Sequence, residues 1–292
     1  MQNKFVLSIL IVAFSLSGCA GNQTDPMAVA PTPDPTPILE SFSTLPINSK
    51  FISQSITNTW AYNNNESEYR EITSAEPLAD DANASISMTT DSSSLVTRLA
   101  VQNSHSSHTF TGIYSDPWET RVVIMSLDGD QQLHLRVVDD YQAFGSWWEG
   151  DYDITVANED FIRHGISTGI RTPFSSIPTS LTQIFNGTFF GVLGGNGKAF
   201  NLTTGDVSLS VNFSNHNIEF TSSSLDINSN SLKYGSTNYF SGPVVSESGF
   251  FTGNVSGYFY GPNAEEAGGV ISFYSISDPL YYSIVAGFGA SR

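Results

Sequence analysis

The strongest constraint on the fold is that no stretch after Lys50 sustains the 3.6-residue apolar period of an amphipathic helix. Short alternating or aromatic segments, separated by Gly, Asn and Ser, occur instead. The clearest pair, residues 121–127 and 131–138, flanks Asp128-Gly129, a dipeptide that readily adopts the positive φ of a tight hairpin turn. This pattern predicts an all-β protein of antiparallel strands.

Strand-like segments continue to the C-terminus. Roughly eight of them follow residue 180, and eight strands can close a small barrel whose interior is filled by side chains. Pro173 and Pro178 mark residues 167–182 as a crossing between two units. We therefore predict a β-rich domain over residues 47–165, followed by an eight-stranded antiparallel β-barrel over residues 166–292.

The N-terminus predicts export and lipid attachment. A short basic start is followed by an apolar run over residues 5–16 and by small residues directly before Cys19, a pattern typical of a lipoprotein signal peptide over residues 1–18. An ordinary secretory signal with a chance cysteine is the alternative. Residues 19–46 are rich in proline, and this composition favours an extended tether between the lipidated Cys19 and the folded part.

The charge of the chain limits its partners. The sequence has 11 basic and 28 acidic residues, a net charge of −17, and removal of residues 1–18 takes away only Lys4, which leaves 10 − 28 = −18. Nucleic acid is excluded as a partner, because binding it requires a basic face. A basic protein partner fits this charge, and simple solubility explains it as well.

The sequence contains no nucleophile elbow, zinc-protease motif, cysteine pair or phosphate-binding loop. We therefore expect a protein that is not an enzyme and has no metal site or certain cofactor. The one histidine cluster is His105-Ser-Ser-His108. Histidine is a common axial ligand of haem iron, so a loop carrying His105 and His108 is one hypothesis for haem binding. Two exposed loop histidines without a ligand are the alternative.

Trp147 and Trp148 are adjacent in a strand-like segment. Adjacent strand residues point to opposite faces, so we expect one indole in the core and the other exposed or under a loop. Exposed Trp is enriched at binding hot spots, which makes the outward indole a candidate for a protein-binding surface. Core packing of both indoles is the alternative.

Residues 253–270 form the most specific motif. Alternation predicts a strand, a turn and a second strand, with Val255, Gly257 and Phe259 on one face and Tyr258 and Tyr260 on the other. The motif resembles the last strands of the barrel domain of the transferrin-binding protein B family. The matching residues are Gly257, Phe259, Tyr260, Gly261, Pro262, Ala264, Glu266, Gly268 and Gly269.

The resemblance implies a single lobe in which residues 47–165 form the family's handle domain and residues 166–292 its barrel. It also implies a lipid-anchored protein of the outer membrane, displayed on the cell surface by a translocon. Such a protein would bind a host or environmental iron source, namely haem, haemoglobin or a transferrin-like protein, and deliver it to an outer-membrane receptor. An adhesin or a host-protein-binding surface module with no iron role is the alternative function.

Overall fold

The structure is a computed structural model. It describes residues 49–60, 62–63, 71–72, 84–90, 96–103, 107–111, 113–115, 123–128, 131–138, 140–149, 161–195, 198–276 and 283–292. All of these residues lie within one compact unit, Pro37–Arg292. Within the described residues, no helix has the length and apolar character needed to cross a membrane.

The N-terminal part, which we call the handle, is a sheet of nine strands. The order across the sheet is β6-β5-β4-β1-β11-β10-β9-β8-β7, and neighbouring strands are antiparallel. The strands are β1 (Ser49–Trp60), β4 (Ser85–Thr90), β5 (Val96–Gln102), β6 (Ser107–Phe110), β7 (Ile113–Ser115), β8 (Val123–Asp128), β9 (Gln131–Val137), β10 (Gln142–Glu149) and β11 (Phe161–Gly169). A separate small pair contains β2 (Tyr62–Asn63) and β3 (Glu71–Ile72). The edge strands β6 and β7 are separated by only two residues, so the sheet curls and brings its two edges together.

The predicted hairpin is present as β8 and β9, with Asp128 opposite Gln131. Leu133 and Leu135 lie in the handle core, as the alternation predicts. The same alternation predicts a wet face for His134 and Arg136, and this prediction is wrong because both side chains are half-buried against the second domain.

The second domain is a closed antiparallel barrel of eight strands in sequential order, which confirms the predicted fold class. Its strands are β12 (Thr182–Gly195), β13 (Lys198–Asn212), β14 (Asn217–Ser222), β15 (Ile227–Tyr234), β16 (Tyr239–Val245), β17 (Phe251–Tyr260), β18 (Glu266–Ser275) and β19 (Ser283–Ser291). Barrel strand β12 closes the ring by pairing with β19.

Aromatic side chains fill the barrel. Phe259 lies near the centre of this core, with its ring centroid 5.4 Å from Phe240, 5.6 Å from Phe213 and 5.4 Å from Tyr234. Other buried rings of the same core are Phe185, Phe189, Phe220, Phe273 and Phe288. Alternating bulky residues on successive strands thus give the barrel a solid interior.

Residues 170–181 connect the handle to the barrel, and we call this segment the crossing. It follows the edge of β17, since Thr172 donates its backbone N–H to Phe259 O (2.9 Å) and Gly261 donates to Ile170 O (2.9 Å). Further along, Ile177 joins the barrel core, so the crossing runs over one end of the barrel.

Candidate functional site

The motif of residues 257–269 lies on the hairpin of β17 and β18, where the barrel meets the handle. Handle strands β1, β10 and β11 contact barrel strands β12, β18 and β19, and we call this contact the joint. The predicted alternation is present: Val255 and Phe259 point into the barrel, and Tyr260 is fully buried on the opposite face, towards the handle. Several residues of the motif can therefore be assigned a physical task at the joint.

Tyr260 takes part in a buried polar network across the joint. Its hydroxyl lies 2.9 Å from Ser167 Oγ of β11, and Ser167 accepts a hydrogen bond from Gln142 Nε2 at 3.0 Å. Gln142 also donates to Phe288 O of β19 at 2.8 Å. Burial raises the pKa of Tyr260 to about 12, so the hydroxyl keeps its proton.

Glu266 fastens the handle turn between β9 and β10 to the barrel. Its carboxylate is buried, and Oε1 accepts the backbone N–H groups of Asp140 (2.8 Å) and Tyr141 (2.9 Å). The turn that precedes it needs two left-handed residues, Gly261 at φ 84° and Ala264 at φ 60°. The geometry of this turn thus places the Glu266 carboxylate within hydrogen-bond distance of two backbone N–H groups of the handle.

Two glycines allow the sheets to approach closely. A Cβ at Gly268 would collide with the side-chain amide of Gln142, and a Cβ at Gly287 would collide with the carbonyl of Ile166. The pair Gly268-Gly269 predicts a close approach of another part of the chain, and at Gly268 that part is the Gln142 side chain of the handle. The neighbouring Gly269 faces the carbonyl of Ser256 instead.

Arg163 of β11 is a second polar anchor of the joint. It is fully buried, and it donates from Nη1 to Val192 O and from Nη2 to Ser283 Oγ, both at 3.0 Å. Both acceptors belong to the barrel. Sequence patterns did not identify this residue, because an isolated arginine in a polar segment carries no periodic signal.

A stack of three rings crosses the joint beside β12. His134 lies between Trp148 of the handle (ring centroids 5.2 Å apart) and Phe190 of the barrel (5.3 Å), and it is nearly parallel to both. The guanidinium carbon of Arg136 lies 5.2 Å from the Phe190 ring centroid. Burial, and then the charge of Arg136, lower the pKa of His134 to about 4, so the ring is neutral at neutral pH.

The structure buries both tryptophans of the predicted binding pair. Trp147 packs in the handle core, stacked on His164 at 4.2 Å, and Trp148 is 3% exposed within the stack just described. The expectation that one indole is exposed or under a loop is wrong, because β10 is covered on both faces, by the handle core and by the barrel. The alternative, core packing of both indoles, is what the structure shows. Strand alternation correctly predicted that the two rings point in opposite directions. The burial of Trp148 results from the contact between handle and barrel, which the alternation does not encode.

The remaining predicted site residues are only partly described. His108 is half-buried on β6, with its ring edge-on to Phe110 at 4.5 Å. His105 and Cys19 lie outside the described residues. In the described part of the chain, no group of three or more His, Cys, Asp or Glu side chains is placed to hold a metal ion.

An exposed apolar surface lies at the barrel end opposite the crossing. It contains Val245, Phe250 and Ile276, which are 46%, 66% and 52% exposed, and we call it the apical patch. Ile276 donates its N–H to Phe250 O at 2.9 Å, so these two residues are direct neighbours. The adjacent aromatics Phe250 and Phe251 indicate this patch in the sequence, because neighbouring strand residues point to opposite faces. Phe251 packs inward on Phe273, so Phe250 faces out.

Acidic residues flank the apical patch. Glu247 follows Val245 and donates its N–H to Asp226 O at 2.7 Å, while Asp226 Oδ2 accepts the N–H of Ser248 at 3.0 Å. Both carboxylates are therefore held at the same end of the barrel as the apolar side chains. The patch combines an apolar centre with a negative margin.

No family model and no curated protein sequence matches this chain. Among solved structures, it is similar to a point mutant of transferrin binding protein B from Haemophilus parasuis (13% identity, 87% of this chain and 78% of that one, TM-score 0.44). It is similar to transferrin binding protein B from Neisseria meningitidis (17%, 82% and 63%, TM-score 0.43), so it spans less than two thirds of that protein. It is also similar to the N-lobe of lactoferrin binding protein B from Moraxella bovis (11%, 82% and 98%, TM-score 0.36). The handle-plus-barrel lobe that the motif resemblance implied is the fold of this chain, on the strand order and barrel closure described above.

Proposed function

We propose that this chain is a non-catalytic surface lipoprotein of the outer membrane that binds a protein carrying iron from a host or the environment. The observation that supports it best is the solid barrel. An eight-stranded barrel either fills its interior with side chains or encloses one small ligand. Here Phe259 and the rings packed around it occupy the interior. Binding by the barrel must then use its outer surface, which suits a protein partner better than a small molecule.

The apical patch is the surface we assign to this partner. Three large apolar side chains that are about half exposed form the kind of centre at which interface hot spots occur. Asp226 and Glu247 beside them, together with the net charge of −17, favour a partner whose matching surface is apolar with a basic margin. Opposite charges would also speed the encounter.

The finer parts of the proposal come from the sequence. The iron-source class follows from the resemblance of the β17–β18 motif, and the membrane anchor follows from the signal before Cys19. Transferrin, lactoferrin and haemoglobin are the partners to test. Haem ligation through His105 and His108, an outer-membrane receptor and a translocon complete the proposal.

Binding of the mature chain to immobilised transferrin, lactoferrin and haemoglobin tests the function. We expect saturable binding to one of them that weakens between about 50 and 300 mM salt. The double change Phe250→Ser and Ile276→Ser should weaken it by about tenfold or more. Leu202→Ser is the matched control, because Leu202 is 47% exposed but lies outside the apical patch. Failure to bind all three proteins, or equal loss in the control, would overturn the proposal.

The alternative function is an adhesin or host-protein-binding module with no iron role. The apical patch favours it to the same degree, because an apolar surface with acidic neighbours suits a protein partner whether or not it carries iron. Growth on haem, haemoglobin or transferrin as the sole iron source, with and without the gene, separates the two functions. Equal growth on all three, together with binding through the patch, would select the alternative.

A further inference from the structure

Arg171 is held rigidly where the crossing leaves the handle. Its backbone forms an antiparallel bridge with Tyr260, between the hydrogen bonds of Ile170 and Thr172 to the edge of β17. Thr172 is fixed further, since its Oγ1 donates to Gly261 O at 2.7 Å and its carbonyl accepts from Asn238 Nδ2 at 2.7 Å. Because the backbone is anchored on both sides, the direction of the Arg171 side chain is set by the fold.

The guanidinium of Arg171 lies over an aromatic ring. Its carbon atom is 3.5 Å from the ring centroid of Tyr258, and Tyr258 contacts Tyr239 of β16 at 5.3 Å between centroids. Both tyrosines are half-buried on the outside of the barrel. This cation–π contact holds the guanidinium in place but uses none of its hydrogen-bond donors.

Two buried donors of Arg171, Nε and Nη2, make no hydrogen bond to any residue that the structure describes. By contrast, buried Arg163 donates to Val192 O and Ser283 Oγ. Removing charged donors from water without acceptors is costly, so an arginine kept in this state requires a reason.

The two unpartnered nitrogens lie on the same edge of the guanidinium. The N–H bonds of Nε and of Nη2 on that edge are parallel, and this spacing matches the two oxygens of a carboxylate. Glu266, a buried carboxylate of the joint, already accepts the N–H groups of Asp140 and Tyr141. The fork therefore has the right geometry for a carboxylate that none of the described residues supplies.

We propose that Arg171, with Tyr239 and Tyr258, forms a binding site for a carboxylate, supplied by a small organic acid or by an acidic peptide. The carboxylate would accept both N–H groups of the fork while Tyr258 covers the face of the guanidinium. Arg171 and both tyrosines are half-buried, so the site lies near the surface of the barrel. The site is independent of the apical patch and of the proposed function. A net charge of −17 disfavours anions at the surface generally, so saturable binding would be specific to such a site.

The test uses the mature chain, with sodium citrate, triglutamate and inorganic phosphate as probes at constant ionic strength. Ligand-observed NMR and the shift in unfolding temperature report binding. We expect citrate or triglutamate to bind saturably. An arginine fork can also pair with two oxygens of a phosphate, so phosphate tests whether the site takes carboxylates in particular. The stronger of the two carboxylate probes identifies the source, organic acid or peptide. Equal binding of phosphate, or binding of no probe, would overturn the proposal.

Variants assign the site to Arg171. Arg171→Met keeps the stem but removes the fork, and we expect a loss of affinity of about tenfold or more. Arg171→Lys keeps the charge without the parallel donors and should lose a similar amount. Arg292→Met is the matched control, because Arg292 is already bonded to Gln183 at 2.6 Å, and it should bind as the wild type does.

A second readout separates binding from a structural role. Without probe, Arg171→Met should unfold at the same urea concentration as the wild type or at a higher one, because it removes two buried donors that lack acceptors. A clear loss of stability in both Arg171→Met and Arg171→Lys, with unchanged probe affinity in Arg171→Lys, would make Arg171 a structural residue and refute the site.

Discussion

Replacing Glu266 by alanine should destabilise the handle more than the barrel. The change removes the only acceptor that the structure shows for the N–H groups of Asp140 and Tyr141, at 2.8 and 2.9 Å. A hydrogen bond to a charged group contributes about 1.5–3 kcal/mol, so two lost bonds cost about 3–6 kcal/mol of the free energy of unfolding. Glu266→Gln keeps an acceptor but loses the charge, and we expect about half of that cost.

The positions of the tryptophans make this prediction measurable by domain. All four tryptophans, Trp60, Trp118, Trp147 and Trp148, precede the barrel, so their fluorescence reports the handle. Far-UV circular dichroism reports strands of both domains. With a urea m-value of about 3 kcal/mol/M, the upper end of the usual range because m grows with chain size, the loss corresponds to a fall of about 1–2 M in the fluorescence midpoint. We expect the fluorescence transition of Glu266→Ala to precede the dichroism transition.

The matched control is Glu219→Gln, a change of an exposed glutamate on β14. It should leave both transitions of the wild type unchanged within about 0.5 kcal/mol. The reasoning would be refuted if Glu266→Ala shifted the fluorescence midpoint no further than this control. It would also be refuted if a large loss moved both signals together, because the barrel would then depend on Glu266 as much as the handle does.

Three further changes test the joint and the barrel end. The pKa of His134 is about 4 in the folded chain, against an ordinary value of 6.5. The neutral ring therefore contributes fully to the free energy of unfolding above pH 6.5, and up to about 3 kcal/mol of that free energy is lost as the pH falls to 4. His134→Phe, which keeps the stack, should remove that slope in urea titrations, and an unchanged slope would contradict the assignment. Gly287→Val should cost more than about 3 kcal/mol by forcing the sheets apart, while Gly235→Ala, which meets open space, should be neutral in thermal unfolding. Asn238→Ala should cost about 2–4 kcal/mol in the same assay, because its amide donates to Thr172 O and Phe259 O and accepts from Phe259 N; a cost below about 1 kcal/mol would show these bonds to be replaceable by water.

The central strand of the handle is the hardest element to predict. Strand β11 (Phe161–Gly169) pairs with both β1 and β10, and the predicted crossing wrongly includes its C-terminal end. Arg163 points to the barrel and His164 to the handle core, where its Nδ1 lies 3.0 Å from Asn103 Nδ2. A strand covered on both faces and satisfied by polar partners shows no apolar alternation, so local pattern could not identify it.

Sequence alternation predicts strand β15 (Ile227–Tyr234) only at its beginning, for a related reason. Its outward residues are small and polar, and Ser229 and Ser231 donate from their hydroxyls to Pro243 O, a residue that has no N–H for the ladder. Side-chain hydroxyls thus replace backbone hydrogen bonds in a part of the barrel wall where the pairing of β15 with β16 is interrupted. Whether they do so depends on the neighbouring strand, so the sequence of β15 alone does not reveal it.

The sequence by itself determined the all-β class, the eight barrel strands and the strand-turn-strand motif, because alternation and turn residues act within a few positions of each other. Only the tertiary structure decided what the second face of each strand meets. It buried Trp148 against His134 and Phe190, gave Glu266 two donors 125 or more residues away, and left Phe250 exposed. Those outcomes depend on how two sheets approach each other, and that approach is a sum of long-range contacts that no local pattern encodes.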